Sequence, residues 1–321
     1  MRVERLLDRP IITSASHPSI GENIQGPSLI RVPDWVPSPL GRYYLYFADH
    51  KGRYIRVAYA DAPLGPWTIH PAGSLQLAES HFPTEPPPAP EGAVLRLREF
   101  AAGAGLKLPH DLVGELTWPH IASPDVHVDE ANRRIVMYFH GLEAFAKQVT
   151  RVATSADGLH FDARPEILGM TYFRAFDHDG YTYALAMPGH FYRSRNRLSG
   201  FEKGPRLFND NMRHTALAKR GNRLHVFWTQ VGDVPERILL STLDLAPPWE
   251  EWTESDPIEV LRPEHPWEGA DAPLEPSIRS VAYGHLNQLR DPAIFEEDGR
   301  TYLLYAVAGE SGLAIAEVHF E

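Results

Sequence analysis

Cysteine is absent from the 321 residues. Disulfides, thiolate metal centres and cysteine nucleophiles are therefore excluded, and the absence fits a reducing compartment. Basic runs are missing too. Lys and Arg number 31 against 42 Asp and Glu, a formal net charge of −11. A chain so charged is not built to meet nucleic acid or an anionic membrane surface. No stretch approaches transmembrane length, and Met1–Pro10 alternates charged and apolar residues where a signal peptide carries an apolar core. The expectation is a soluble, cytoplasmic protein; a trimmed secreted or periplasmic form is the alternative. Helical periodicity is also scarce, apart from a short helix expected within Ala93–Leu108.

What the chain does have is apolar and aromatic residues, 43% and 11%, enough for a large core. Its 29 prolines punctuate loops, with one run, Pro83–Pro90, reading as an extended surface loop. The length exceeds an average domain but suits a closed all-β unit.

The organising signal is a fivefold repeat. Short first strands are expected at Pro27–Ile30, Pro124–His127, Arg174–Phe176, His214–Leu217 and Asp291–Phe295. Each is followed by a turn rich in Gly, Asp or Asn and then an aromatic-rich run: Tyr43–Phe47, Ile135–Phe139, Tyr181–Leu185, Leu224–Trp228 and Thr301–Tyr305. Third strands are expected at Ile55–Tyr59, Thr150–Thr154, Phe191–Ser194, Ile238–Ser241 and Leu313–Ala316. Five three-stranded units in series predict an all-β, five-bladed β-propeller in one domain, which leaves no long sheet edge open. Blades are expected at about 20–80, 117–168, 169–208, 209–260 and 280–321. The N-terminal run Val3–Ile12 should complete the last blade and close the ring. A β-sandwich of similar strand count is the competing architecture.

Three third-strand exits share one kind of phrase: Ala58–Trp67, Thr154–Phe161 and Tyr192–Phe201. With the strand-opening phrases Ser123-Pro124-Asp125-Val126 and Arg290-Asp291-Pro292-Ala293-Ile294, they resemble the glycoside hydrolase family 43 and 32 superfamily of five-bladed propellers. The resemblance covers nearly the whole chain. It implies three carboxylates at blade starts: a general base in blade one, a pKa-tuning Asp in blade two and an acidic Glu in blade three. Asp125 matches the blade-two position. The first and third positions read Gln25-Gly26-Pro27 and Tyr172-Phe173-Arg174, without an acid. His214 matches a blade-four histidine that the resemblance places near an axial water or calcium.

First strands line a propeller's axis, so their leading residues are the site candidates. Asp125 and Asp291 are the expected acid–base pair, with His214 in support and Glu22 as a substitute blade-one base. Gln25, His120, His140, His190 and His285 are expected to bind substrate. Gln230 and Glu310 end second strands and join the list. Arg174, Arg213 and Arg290 head three blades and predict a cationic floor suited to an anionic sugar. Trp35, Trp118, Trp228 and Trp267 are stacking candidates. No motif demands a cofactor. A divalent metal on the axis, calcium or a His-bound transition metal, is a further expectation, with His214 as its ligand. The leading function is a glycosidase-type hydrolase of a small saccharide or glycoconjugate. A uronate lyase and a non-catalytic carbohydrate-binding propeller are the alternatives.

Overall fold

A computed structural model describes every residue except Leu106, His110 and Glu321. Five antiparallel sheets follow one another along the chain, each with its first strand innermost. Blade one runs Gln25–Arg31, Tyr43–Ala48, Tyr54–Ala60, Thr68–Gln76. Blade two runs Ile121–Asp129, Arg134–Ala144, Lys147–Ser155, with two short outer strands, Asp162–Ala163 and Gly169–Met170. Blade three is Arg174–His178, Tyr181–Ala186, His190–Ser194, Glu202–Arg206, and blade four is Met212–Arg220, Arg223–Gln230, Ile238–Asp244, Ile258–Leu261. Blade five is Arg290–Glu297, Arg300–Val307 and Gly312–His319. Arg2–Arg5 and Ile12–Thr13 both pair with Gly312–His319, so the first residues of the chain close the ring. The five-bladed propeller is the architecture expected from the repeat, and no sandwich forms.

The second strands show why the apolar runs are unbroken. A blade is buried on both faces, so alternate side chains serve different neighbours. Tyr44 and Tyr46 pack toward blade two, while Tyr43, Leu45 and Phe47 pack toward blade five. Likewise Met137 and Phe139 face blade one, and Val136 and Tyr138 face blade three. Each interface between blades holds one apolar cluster. A large side chain buried there contributes about 1.5–3 kcal/mol.

Ring closure also has an ionic lock. Arg5 Nε and Nη2 donate to Glu268 Oε1 and Oε2 at 2.8 and 2.9 Å, and Tyr305 donates its hydroxyl proton to the same carboxylate. Glu268 is fully buried. Arg5→Ala would strand that carboxylate, and we expect a loss of about 2–4 kcal/mol, discounted for the partial exposure of Arg5. Urea unfolding measures it; an unchanged midpoint would mean the lock is idle.

Two connections depart from the blade pattern. The segment 77–120 joins blades one and two and carries helices Ala93–Gly103 and Leu112–Thr117. The first is the helix expected within Ala93–Leu108, ending earlier. The segment 262–289 precedes blade five with one 3₁₀ turn at Pro266–Glu268. The two segments meet where Ser280 donates to Glu115 Oε2 at 3.1 Å, and they roof one end of the axis. Among the described residues no helix is long and apolar enough to cross a membrane.

Candidate active site

Four of the five inner strands carry one extra residue near their start. Pairing runs Gln25 to Ala48 and then Ser28 to Tyr46 in blade one. It runs Ala122 to His140 and then Asp125 to Tyr138 in blade two, Arg213 to Thr229 and then Ala216 to Phe227 in blade four. In blade five it runs Arg290 to Ala306 and then Ala293 to Leu304. Two residues oppose one every time, the signature of a β-bulge. The bulged residue is left-handed: Gly26, Ser123, His214 and Asp291, with φ of 62°, 49°, 48° and 48°. Tyr172, φ 67°, precedes the blade-three strand in the same conformation. Holding a non-glycine residue there costs about 1–2 kcal/mol. Strain repeated at one level of the axis, by His, Asp, Tyr and Ser, is a mark of function.

This register corrects one sequence match. The blade-two residue equivalent to Asp291 is Ser123; Asp125 lies two residues further along, level with Ser28 and Ala293. Sequence reading missed the shift because a bulge leaves no mark in composition. Asp125 and Asp291 therefore stand at different levels of the axis. Asp125 Oδ2 accepts from the Ala175 backbone N–H at 2.8 Å and from His127 Nε2 at 2.7 Å. Burial alone would raise its pKa, but His127, Arg174 and that N–H together hold it below the usual carboxylate value. It opens, with His127, onto a cavity of about 600 Å³ at the far end of the axis.

At the roofed end, four rings follow one another. His120 and His140 centroids are 6.1 Å apart, His140 and Tyr172 6.1 Å, Tyr172 and His214 5.3 Å. Tyr172 donates its hydroxyl proton to Asp291 Oδ1 at 2.7 Å, and His214 Nε2 lies 3.8 Å from that oxygen. All five residues are buried, and together they form the axial cluster called the chamber below. Burial drives the His120 imidazole down to about 3, helped by Lys51, and drives His140 and His214 well below their ordinary value. These rings are neutral. His120 Nδ1 donates to the Trp118 carbonyl at 2.7 Å, so its Nε2 carries a free lone pair. Burial, with the charge of Glu310, pushes the Asp291 carboxyl up to about 6; the Tyr172 hydroxyl pulls the other way. His120 Nε2, His140 Nδ1, Gln25 Nε2, Thr215 Oγ1 and Asp291 Oδ2 are buried without a hydrogen-bond partner. Unmet polar atoms at this density are the chemistry of a site that takes up water or a polar ligand.

Two of the three arginines expected on the floor are neutralised within the protein. Arg213 grips Glu236 through Nε at 2.9 Å and through Nη2. Arg290 Nε lies 3.3 Å from Glu236 Oε2, and its Nη1 donates to Glu310 Oε1 at 2.8 Å. Asn23 donates to Glu310 Oε2 at 2.7 Å, and His50 Nδ1 lies 3.4 Å from Oε1. Two guanidinium charges are thus cancelled by two carboxylates. Arg174 has no carboxylate partner: its Nε and Nη1 donate to the carbonyls of Thr215, Ser123, Pro124 and Phe173, and its buried Nη2 has no hydrogen-bond partner. Both acids are held ionised: burial would raise them, but Arg213 and Arg290 hold Glu236 below its usual range, and His50 and Arg290 do the same for Glu310.

The other candidates scatter. Gln25 is buried at the bulge and accepts from Ser123 Oγ at 3.1 Å. Glu22 is an exposed loop carboxylate. His190 begins a third strand opposite Arg206, away from the axis. His285 is exposed and pairs with Asp271 at 2.6 Å. Gln230 ends its strand bonded to Asn209 and Asp233. Trp228 is core between blades three and four, Trp35 and Trp267 pack against apolar clusters, and Trp118 is exposed on the roof. Sequence reasoning did not single out Tyr172, Ser123, His50 or Glu236 as functional. Glu236 sits in Val-Pro-Glu-Arg, which reads as a solvated turn. For a metal on the axis the donors do not fit: among the described residues no three His, Asp or Glu side chains converge. His214 Nδ1 faces Thr229 Oγ1 at 3.3 Å and its other nitrogen faces Asp291.

No family model matches the chain. Several solved propellers share its fold at 13% identity or less. A family-43 β-xylosidase/α-arabinofuranosidase from a compost microbial metagenome, in complex with xylotriose, superimposes with a TM-score of 0.58 at 13% identity, over 99% of this chain and 96% of its own. A family-43 enzyme from Xanthomonas citri complexed with xylose gives 0.54 at 13% identity, over 96% and 88%. An exo-1,5-α-L-arabinanase from a bovine ruminal metagenomic library gives 0.52 at 12%, over 93% and 94%. In sequence, the uncharacterized protein R118 of Acanthamoeba polyphaga mimivirus is 35% identical over 92% of this chain and 83% of its own length. The chain therefore belongs to the same family as mimivirus R118, and it has the five-bladed propeller fold of the family-43 glycoside hydrolases.

Proposed function

We propose that this protein is a glycosidase-type hydrolase whose reaction takes place in the roofed axial chamber, with Asp291 as the acid. The observation that carries this reading is Asp291 itself. It is 1% exposed, strained, raised to about 6, and has one carboxyl oxygen without a partner. Of the chamber's carboxylates, Glu236 and Glu310 are saturated by arginine, whereas Asp291 is free to hold and release a proton near neutral pH. In this scheme Asp291 protonates the departing glycosidic oxygen. His214, 3.8 Å from the same carboxyl, is too close to stand across the scissile bond and serves to orient Asp291.

Pairing of Arg213 and Arg290 with Glu236 and Glu310 removes two of the charges that would hold a uronate, which favours a neutral saccharide. Solved propellers of this fold hold xylose and xylotriose, so xylo-oligosaccharides and aryl pentosides are the first probes. We expect reducing-end release with activity falling as pH rises through about 6, where Asp291 loses its proton. Absence of turnover on pentosides and hexosides alike would sink the hydrolase reading. An ultraviolet-absorbing unsaturated product from uronate oligomers would identify elimination instead.

A further inference from the structure

At the roofed end, the two roof segments and the blade-one turn carrying Asp49 and Lys51 line an open groove of about 380 Å³. Trp118 and Tyr283 line it, 49% and 58% exposed. Around them stand Lys51, Asp49, Asp111 and Glu115. Two large aromatic side chains left this exposed in one groove are unusual, because both carry much apolar area to water. The indole is not loose: Trp118 Nε1 donates to the Lys51 carbonyl at 3.0 Å, and Lys51 Nζ lies 3.2 Å from Glu115 Oε1. The indole is therefore set before any ligand arrives.

We propose that this groove is a saccharide-binding subsite for a neutral sugar ring, stacked on Trp118 and Tyr283. A pyranose offers an apolar C–H face to an aromatic ring and a rim of hydroxyls to carboxylates and an ammonium, and the groove supplies both. Three carboxylates against one ammonium disfavour an acidic sugar. The groove and the chamber share their walls. Trp118 is followed at two residues by His120, whose Nδ1 donates to the Trp118 carbonyl. Lys51 is preceded by His50, which lies against Glu310. Tyr283 follows Ala282, whose carbonyl accepts from Asn23. A sugar in the groove thus rests on the outer face of the chamber's ceiling. As a subsite of the hydrolase the inference rests on that reading; as a binding site it does not.

Titration of the whole chain with xylotriose, cellotriose and maltotriose, followed by tryptophan fluorescence, tests it. At least one is expected to give a saturable change, and trigalacturonate none. Trp118→Ala should weaken binding about tenfold or more, and Tyr283→Ala, at a more exposed position, should weaken it severalfold. Asp291→Asn should bind as the parent does, which separates failure of the groove from failure of the catalytic reading. Saturation by none of the three neutral sugars, tighter binding of trigalacturonate, or parental affinity in both aromatic variants would overturn the proposal.

Discussion

Asp291→Asn is expected to lower turnover by about 10²–10⁴-fold, the range of a general acid's contribution, and to raise stability at pH 7. The two effects have one cause. A carboxyl moved from an ordinary 3.8 to about 6 by burial and by Glu310 binds its proton more tightly folded than unfolded. Above pH 6 the fold carries the cost of an ionised, buried group, roughly 3 kcal/mol at most. As pH falls from 6 toward 4 the folded state takes up its proton first, and the cost disappears. Asparagine keeps an oxygen for the Tyr172 hydroxyl and removes the charge, but leaves its amide protons without a partner. The net gain should be on the order of 1–2 kcal/mol at pH 7 and vanish near pH 4. Urea unfolding at both values, beside kcat on the best glycoside, measures it. A variant that loses stability at pH 7, or keeps full turnover, would remove Asp291 from the reaction.

Glu236→Ala should be the most damaging single change to folding. Glu236 is 0% exposed and lies between Arg213 and Arg290. Truncation leaves two buried guanidiniums short of a counter-charge, which costs about 3–5 kcal/mol. Total stabilities are only about 5–15 kcal/mol, so little margin would remain. Glu236→Gln preserves the volume and one acceptor and should lose less. The carboxylate is held below its usual pKa in the fold, burial being outweighed by Arg213 and Arg290. Its contribution is therefore present above the unfolded value and lost as pH falls below about 4. Equilibrium unfolding in urea at pH 7 ranks the variants. Equal stability of parent and Glu236→Ala would mean that the arginines find other partners.

The roof changes what the funnel means. Asp291, His214, Tyr172, His140 and His120 are all buried, so a saccharide reaches them only when the segments 77–120 and 262–289 part. Glu115, in the first segment, accepts from Ser280 in the second and from Lys51 of the blade-one hairpin.

The architecture was legible because a blade buries both faces of its strands. Runs such as Tyr43–Phe47 and Thr301–Tyr305 must then be apolar throughout, and Asp-Gly and Gly-Asn turns separate them. Ring closure was legible too, since Arg2–Arg5 and Ile12–Thr13 pair where the last blade lacked a strand. Strand periodicity placed Asp291 and His214 at blade heads. It placed Asp125 there as well, and the bulge moved it two residues down the axis. Pairing decided the arginines: whether Arg213 and Arg290 meet a substrate or Glu236 and Glu310 depends on loops 23 and 20 residues further along the chain. The sequence by itself determined the five blades and the ring, because burial on two faces is written in local alternation. Only the tertiary structure decided which polar groups are free, because charge cancellation, bulge register and roofing arise between segments distant in the chain.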